Sequence, residues 1–287
     1  MIPGSFEYHR PNTVDSAVAL LDEHGDEARL IAGGHSLIPM MKLRMAEPSH
    51  IVDLQAIDGL HDISEDGGEI VIGALATQHK VLSSDLLASK CPIIPEAAAL
   101  IADPQVRYCG TIGGNVANGD PGNDMPAVMQ ALDARYCAVG PNGSRYIAAR
   151  DYYEAAYFTK LAENEVLTQI RIPAPAAGQG AAYEKQKRKV GDYATAAAAV
   201  ILTMEGGRCT AASIALTNMA ATPLYAEAAA HALVGTDLGV DAIDTAVRLA
   251  KEITDPASDG RGPAEFRTHV AGIMVRRAIA RAQKNAG

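Results

Sequence analysis

Residues 109–124 read CGTIGGNVANGDPGND, and about eighty positions earlier residues 29–44 read RLIAGGHSLIPMMKLR. Each stretch sets two adjacent glycines between an apolar run and residues with hydrogen-bonding side chains. Glycine admits a positive φ and lets a ligand reach the main chain with no Cβ in the way. The first N–H groups of a helix have no partner inside that helix, and they sit at the positive end of its dipole, which suits a phosphate. In the first stretch Ala28–Ala32 reads as a short buried strand, and a helix begins near Ser36 with Pro39 in its tolerant first turn. Ser36 is a candidate cap or phosphate ligand there, and Thr111 and Asn115 hold the matching places in the second stretch. A pyrophosphate has two charged groups, so two loops brought together by folding can each take part of it. Neither stretch is GxGxxG or GxxxxGK followed by Ser or Thr, which sets aside the ordinary Rossmann and P-loop readings. The competing reading of any single Gly-Gly is a plain turn.

Composition bounds what surrounds the loops. The chain has 287 residues, enough for two domains or three small ones, and 48% hydrophobic with 21% charged residues fits a soluble globular protein. With no Trp and three Phe, the core must be built from Ala, Val, Ile, Leu and Met. A net charge of −9 and a pI near 5.4 argue against a nucleic-acid partner, which needs a basic footprint. The start, MIPGSFEYHRPN, lacks the apolar centre of a signal peptide. The longest nearly uncharged apolar run, Ala194–Met204, is too short to cross a bilayer. A cytoplasmic location with no transmembrane segment is therefore expected. Cys91, Cys109, Cys137 and Cys209 are far apart, with no CxxC, so zinc or iron–sulfur ligation in this chain is not expected. The histidines are scattered without HExxH, and neither a metal site nor a catalytic residue is assigned.

The remaining pattern is mixed. Thr13 reads as an N-cap and Gly25 as the stop of a first helix. Strand signals fall at 51–54, 69–74, 136–139 and 166–172, and helical signals at 83–88, 95–102 and 125–134. PAPAAGQGAA, residues 173–182, reads as a boundary. Beyond it come three strand candidates at 182–189, 194–204 and 210–217, with Gly206 and Gly207 as a hairpin turn. Helices follow at 224–233, 241–253 and 266–282. The fold class expected is α+β.

The order of the motifs carries a resemblance. AGGHSLIP, TIGGNVAN, Asp124 in a DP-rich turn, and YEKQKRKVGDYATAAAAV together resemble the flavin-binding subunit of the molybdenum hydroxylases. MIPGSFEYHRP and NGDPGNDMP resemble most the medium subunits of the aerobic carbon monoxide dehydrogenases within that family. The resemblance implies a two-lobed FAD-binding domain of the vanillyl-alcohol-oxidase-like type, with residues 1–53 and 54–177 as its lobes. It implies a C-terminal domain at 178–287, made of a three-stranded antiparallel sheet and a helical bundle. By the same resemblance the first FAD loop is Ala32, Gly33, Gly34, His35 and Ser36, and the second is Thr111, Ile112, Gly113, Gly114 and Asn115. Asp124 falls near the adenosine half, Lys185 at the start of the rear domain, and Tyr193 close to the flavin ring. From the residues alone, Lys187, Arg188 and Lys189 read equally well as a solvated strand edge.

The implied activity is electron relay. FAD would sit in this chain, [2Fe-2S] clusters in a small partner subunit, and a molybdenum cofactor in a large one that oxidises CO with water to CO2. The complex would be a dimer of heterotrimers, free to associate peripherally with the inner face of the cytoplasmic membrane, and would pass its electrons to an acceptor such as a quinone. The alternatives are the flavin subunit of a hydroxylase acting on a purine, aldehyde or N-heterocycle, a stand-alone FAD oxidoreductase, and a non-enzymatic nucleotide-binding scaffold.

Overall fold

The computed structural model describes residues 2–286, in which three larger sheets succeed one another along the chain and a two-stranded one, Tyr153–Ala155 with Phe158–Thr159, accompanies the second. The first is parallel, with His50–Asp53 between Glu7–His9 and Ala28–Ile31. The crossover into it is the helix Val14–His24, whose Thr13 side chain accepts the Ser16 N–H and whose stop is Gly25. Its apolar stripe of Ala17, Val18 and Leu21 packs in one cluster with Ala28, Val52 and Leu54.

The second sheet is antiparallel, in the order Ile63–Asp66, Glu69–Gly73, Val166–Pro173, Arg135–Gly140, Gly143–Ala148. Between Gly73 and Arg135 the chain leaves the sheet through a run of short helices. Three of them carry the site: Pro104–Cys109, Ile112–Ala117 and Asp124–Ala131.

The third sheet holds the antiparallel strands Gln179–Gln186, Ala196–Glu205 and Arg208–Thr217. Its middle strand is apolar without interruption from Ala196 to Leu202 because both faces are covered there. Ala197, Ala199 and Ile201 enter the core shared with the middle region. Ala196, Ala198, Val200 and Leu202 enter a second core with the helices Val240–Glu252 and Ala264–Asn285. A strand buried on two sides loses the alternation of a half-exposed one, which is why 194–204 reads as a continuous run.

Several elements differ from the sequence reading. The rear sheet gains a two-residue fourth strand, Leu224–Tyr225, paired with Leu216 and Ala215. The helix expected from residue 224 therefore starts only at Glu227 and ends at His231. The strand expected at 182–189 runs Gln179–Gln186, so the end of the Gly-rich stretch is already sheet. Glu7–His9, Ile63–Asp66 and Gly143–Ala148 escaped notice because they are short and largely exposed, with no apolar alternation to mark them. No helix among the described residues is long and apolar enough to cross a membrane.

Candidate functional site

The two diglycine stretches touch. A Cβ on Gly33 would lie 2.3 Å from the Cys109 carbonyl oxygen and 2.8 Å from the Gly110 Cα, so only glycine allows this approach. Across the junction, a Cβ on Gly114 would lie 3.7 Å from the Ala32 Cβ. Around this seam opens a cavity of about 780 Å³, the size of a small-molecule or cofactor site. Ala32, Gly33, Gly34, His35, Ser36, Thr111, Gly113, Gly114, Asn115, Asp124, Lys185 and Tyr193 all line it. Ile112 does not: its side chain is fully buried in the core, and it stands apart from the other expected site residues.

The loops contribute in different ways. Gly34 takes a positive φ of 72° and starts the turn into the helix Leu37–Lys42. Among the described residues, no protein acceptor takes the N–H of Gly33, Gly34, His35 or Ser36. These four amides are free to bind an anion. The second stretch differs from expectation, because its amides are already used. Ile112 N–H donates to the Ala76 carbonyl and Gly113 N–H to that of Ala74, both at 2.9 Å. Gly114 N–H donates to the Thr111 hydroxyl and Asn115 N–H to the Thr111 carbonyl, both at 3.0 Å. The stretch is thus the first turn of the helix Ile112–Ala117, capped by Thr111, and not an open loop. Gly113 is small because the turn lies directly on Ala74, whose Cβ a methyl group there would meet at 2.5 Å. What this turn brings to the cavity is a bare backbone surface and the Asn115 side chain.

The cavity fits a dinucleotide on its polar inventory. Asn115 Oδ1 and Gln78 Oε1 are buried without a hydrogen-bond partner, and both residues line the cavity. Such atoms are costly unless a ligand or water satisfies them. A dinucleotide supplies both complements: phosphate oxygens for the free amides, and ribityl hydroxyls or ring N–H groups for the two acceptors.

On the far wall Asp124 opens the helix Asp124–Ala131 and meets Lys185 Nζ at 2.8 Å, with both side chains almost fully buried. Tyr183 donates to the other carboxylate oxygen at 2.6 Å, and Lys185 also donates to the Leu100 carbonyl at 3.3 Å. Burial pushes the Asp124 carboxyl above its usual range, and Lys185 and Tyr183 oppose that shift. The pair fastens the rear sheet to the middle region. Tyr193 lies at the mouth, half exposed, with its ring against Gly122. Burial, followed by the Asp120 carboxylate, pushes its phenol up to about 12. Asp120 also accepts from the Tyr157 hydroxyl at 3.2 Å.

Known proteins resemble this chain over its whole length. Residues 4–175 match the model of the FAD binding domain in molybdopterin dehydrogenase, and residues 181–282 match that of the CO dehydrogenase flavoprotein C-terminal domain. The chain is 63% identical to the carbon monoxide dehydrogenase medium chain of Afipia carboxidovorans, covering 100% of this chain and 99% of that one. It is 48% identical to the medium chain of Hydrogenophaga pseudoflava, over 97% of each. The crystal structure of a Cu,Mo-CO dehydrogenase in its cyanide-inactivated form superimposes with a TM-score of 0.98 at 63% identity, over 99% of this chain and 100% of that one.

The chain belongs to the carbon monoxide dehydrogenase medium-chain family.

The cavity is built from distant segments, and part of its lining was invisible in the sequence. Gln78 follows the capping residue Thr77, which pairs with Thr111 across an isolated bridge, and nothing local marks it. Tyr183, which opens the YEKQKRKV motif but was given no role, is fully buried and donates to Asp124. Tyr157, at a positive φ of 65°, sits in a segment with no local motif to mark it. His9, His24 and His50, scattered in the sequence, come together away from the cleft.

Proposed function

We propose that this chain is the FAD-carrying electron-relay subunit of an aerobic carbon monoxide dehydrogenase. The observation that carries the assignment is the full-length match, 63% identical, to a carbon monoxide dehydrogenase medium chain. Residues 1–53 and 54–177 are the two lobes that clasp the cofactor, and 178–287 closes the cleft from behind. The amides of Gly33 to Ser36 hold the diphosphate, and the capped turn at Thr111 presents a flat backbone against which it lies. Asn115 and Gln78 offer acceptors to hydroxyl and ring N–H donors. The Asp124–Lys185 pair fixes the wall on the adenosine side, and the Tyr193 ring shields the flavin side. Bound FAD supplies exchange between one-electron and two-electron carriers. The chain therefore needs no acid–base residue of its own; its task is binding, orientation and exclusion of water.

The subunit works inside a multisubunit complex. The small partner holds [2Fe-2S] clusters, the large partner holds molybdenum and oxidises CO with water, and two such heterotrimers pair. The four cysteines of this chain are free, and burial pushes the Cys91 thiol up to about 12, which suits a core residue and not a cluster ligand. The complex is cytoplasmic and meets the inner membrane face only peripherally, with a quinone as acceptor. Purification with its partners tests the reading: one flavin per chain, iron–sulfur and molybdenum in the complex, and CO-dependent reduction of a dye are expected. A complex that oxidises purines, aldehydes or N-heterocycles but not CO would move it to another branch, and absence of flavin would refute it.

A further inference from the structure

We propose that His9, His24 and His50 form a binding site for a divalent transition-metal ion of the zinc–copper class. The three come from different elements: the edge strand Glu7–His9, the last residue of the helix Val14–His24, and the first residue of the central strand His50–Asp53. One ring nitrogen from each lies within 4.8 Å of the other two, and all three side chains are half-buried. None of them lines the dinucleotide cavity.

One pair already has the spacing such an ion needs, and the third ring is within reach. Zinc–imidazole bonds of about 2.0–2.1 Å in a tetrahedron set ligand nitrogens about 3.3 Å apart. His9 Nε2 and His50 Nδ1 are 3.1 Å apart. The His24 and His50 rings stack at 3.8 Å with 3° between their planes, and His9 lies 5.3 Å from each. Parallel rings cannot both hold an ion in plane, so His24 turns out of the stack on binding. It closes the last turn of an 11-residue helix, where the carbonyl end of the dipole favours a cation. Glu7 Oε2, 3.7 Å from His50 Nδ1, is placed to serve as a fourth ligand. Three imidazoles with one carboxylate select a borderline ion such as Zn²⁺, Cu²⁺ or Ni²⁺ over Mg²⁺ or Ca²⁺. The ion would tie the three-residue edge strand to the helix and to the centre of its sheet.

The test uses the full-length chain, stripped with a chelator and titrated with ZnCl2 by calorimetry. One ion per chain is expected, with Co²⁺ in place of Zn²⁺ giving the visible absorption of a tetrahedral site. His24→Gln and His9→Gln should each weaken zinc binding by about tenfold or more. His231→Gln, on the distant helix Glu227–His231, should leave it unchanged. Unchanged flavin content and circular dichroism establish that each variant is folded. The cobalt spectrum of the unaltered chain decides the matter if a variant misfolds. No stoichiometric zinc binding, full affinity in His24→Gln, or an equal loss in His231→Gln would overturn the proposal.

Discussion

Replacing Gly33 by alanine tests the central junction of the cleft. The added Cβ would stand 2.3 Å from the Cys109 carbonyl oxygen, about 0.7 Å inside the 3.0 Å that real Cβ atoms keep. Its other near neighbours, Gly110 Cα and Cys109 C, are also main-chain atoms, so no flexible side chain can move aside. The two stretches must therefore separate by at least that distance, and the free amides of residues 33–36 move with them. A hydrogen bond to a charged group contributes about 1.5–3 kcal/mol. Misaligning one or two costs about 2–4 kcal/mol, which at 1.4 kcal/mol per decade is roughly a 30- to 700-fold loss of FAD affinity. Overpacking adds about 1–3 kcal/mol of lost folding stability. Flavin absorbance per chain and titration of the apoprotein with FAD measure the first effect, and urea denaturation measures the second. Gly260→Ala is the control, since its Cβ would find only the Arg188 guanidinium at 3.6 Å. If Gly33→Ala kept full flavin content and an affinity within threefold of the parent, the contact between the two stretches would not be what shapes the site.

Lys185→Met should cost about 3–5 kcal/mol in urea denaturation, because the buried Asp124 carboxylate loses its salt-bridge partner; adding Asp124→Asn should recover more than half. Burial already raises the Asp124 carboxyl, and losing Lys185 raises it further, so the folded state keeps a proton that the unfolded state releases. The deficit of the single variant should thus be small below about pH 4 and grow as pH rises, and a flat profile would refute the assignment. Arg135 and then Arg171 hold the Glu69 carboxyl below its usual range. That stabilisation is present above the ordinary glutamate value and lost as pH falls through the lowered one. Glu69→Gln should accordingly cost about 1 kcal/mol at pH 7 and nothing measurable well below pH 4, by thermal denaturation across pH. Thr111→Ala should remove about 1 kcal/mol by freeing the Gly114 N–H, with Thr111→Ser restoring most of it.

Local chemistry was enough to find the parts of this protein. Thr13 and Gly25 bound a helix because capping and helix termination act over a few residues, and the apolar run 194–204 read as a strand, which the fold covers on both faces. The two diglycine stretches announced themselves because only glycine permits bare backbone. Contacts between parts were another matter, since they depend on packing across long separations that no local pattern encodes. Only the fold presses Gly33 onto Cys109, joins Asp124 to Lys185, and gathers His9, His24 and His50. The fold also reverses one inference. The second diglycine turn spends its amides on Ala74, Ala76 and Thr111, because a helix start docked on a neighbouring segment satisfies itself there before any ligand arrives.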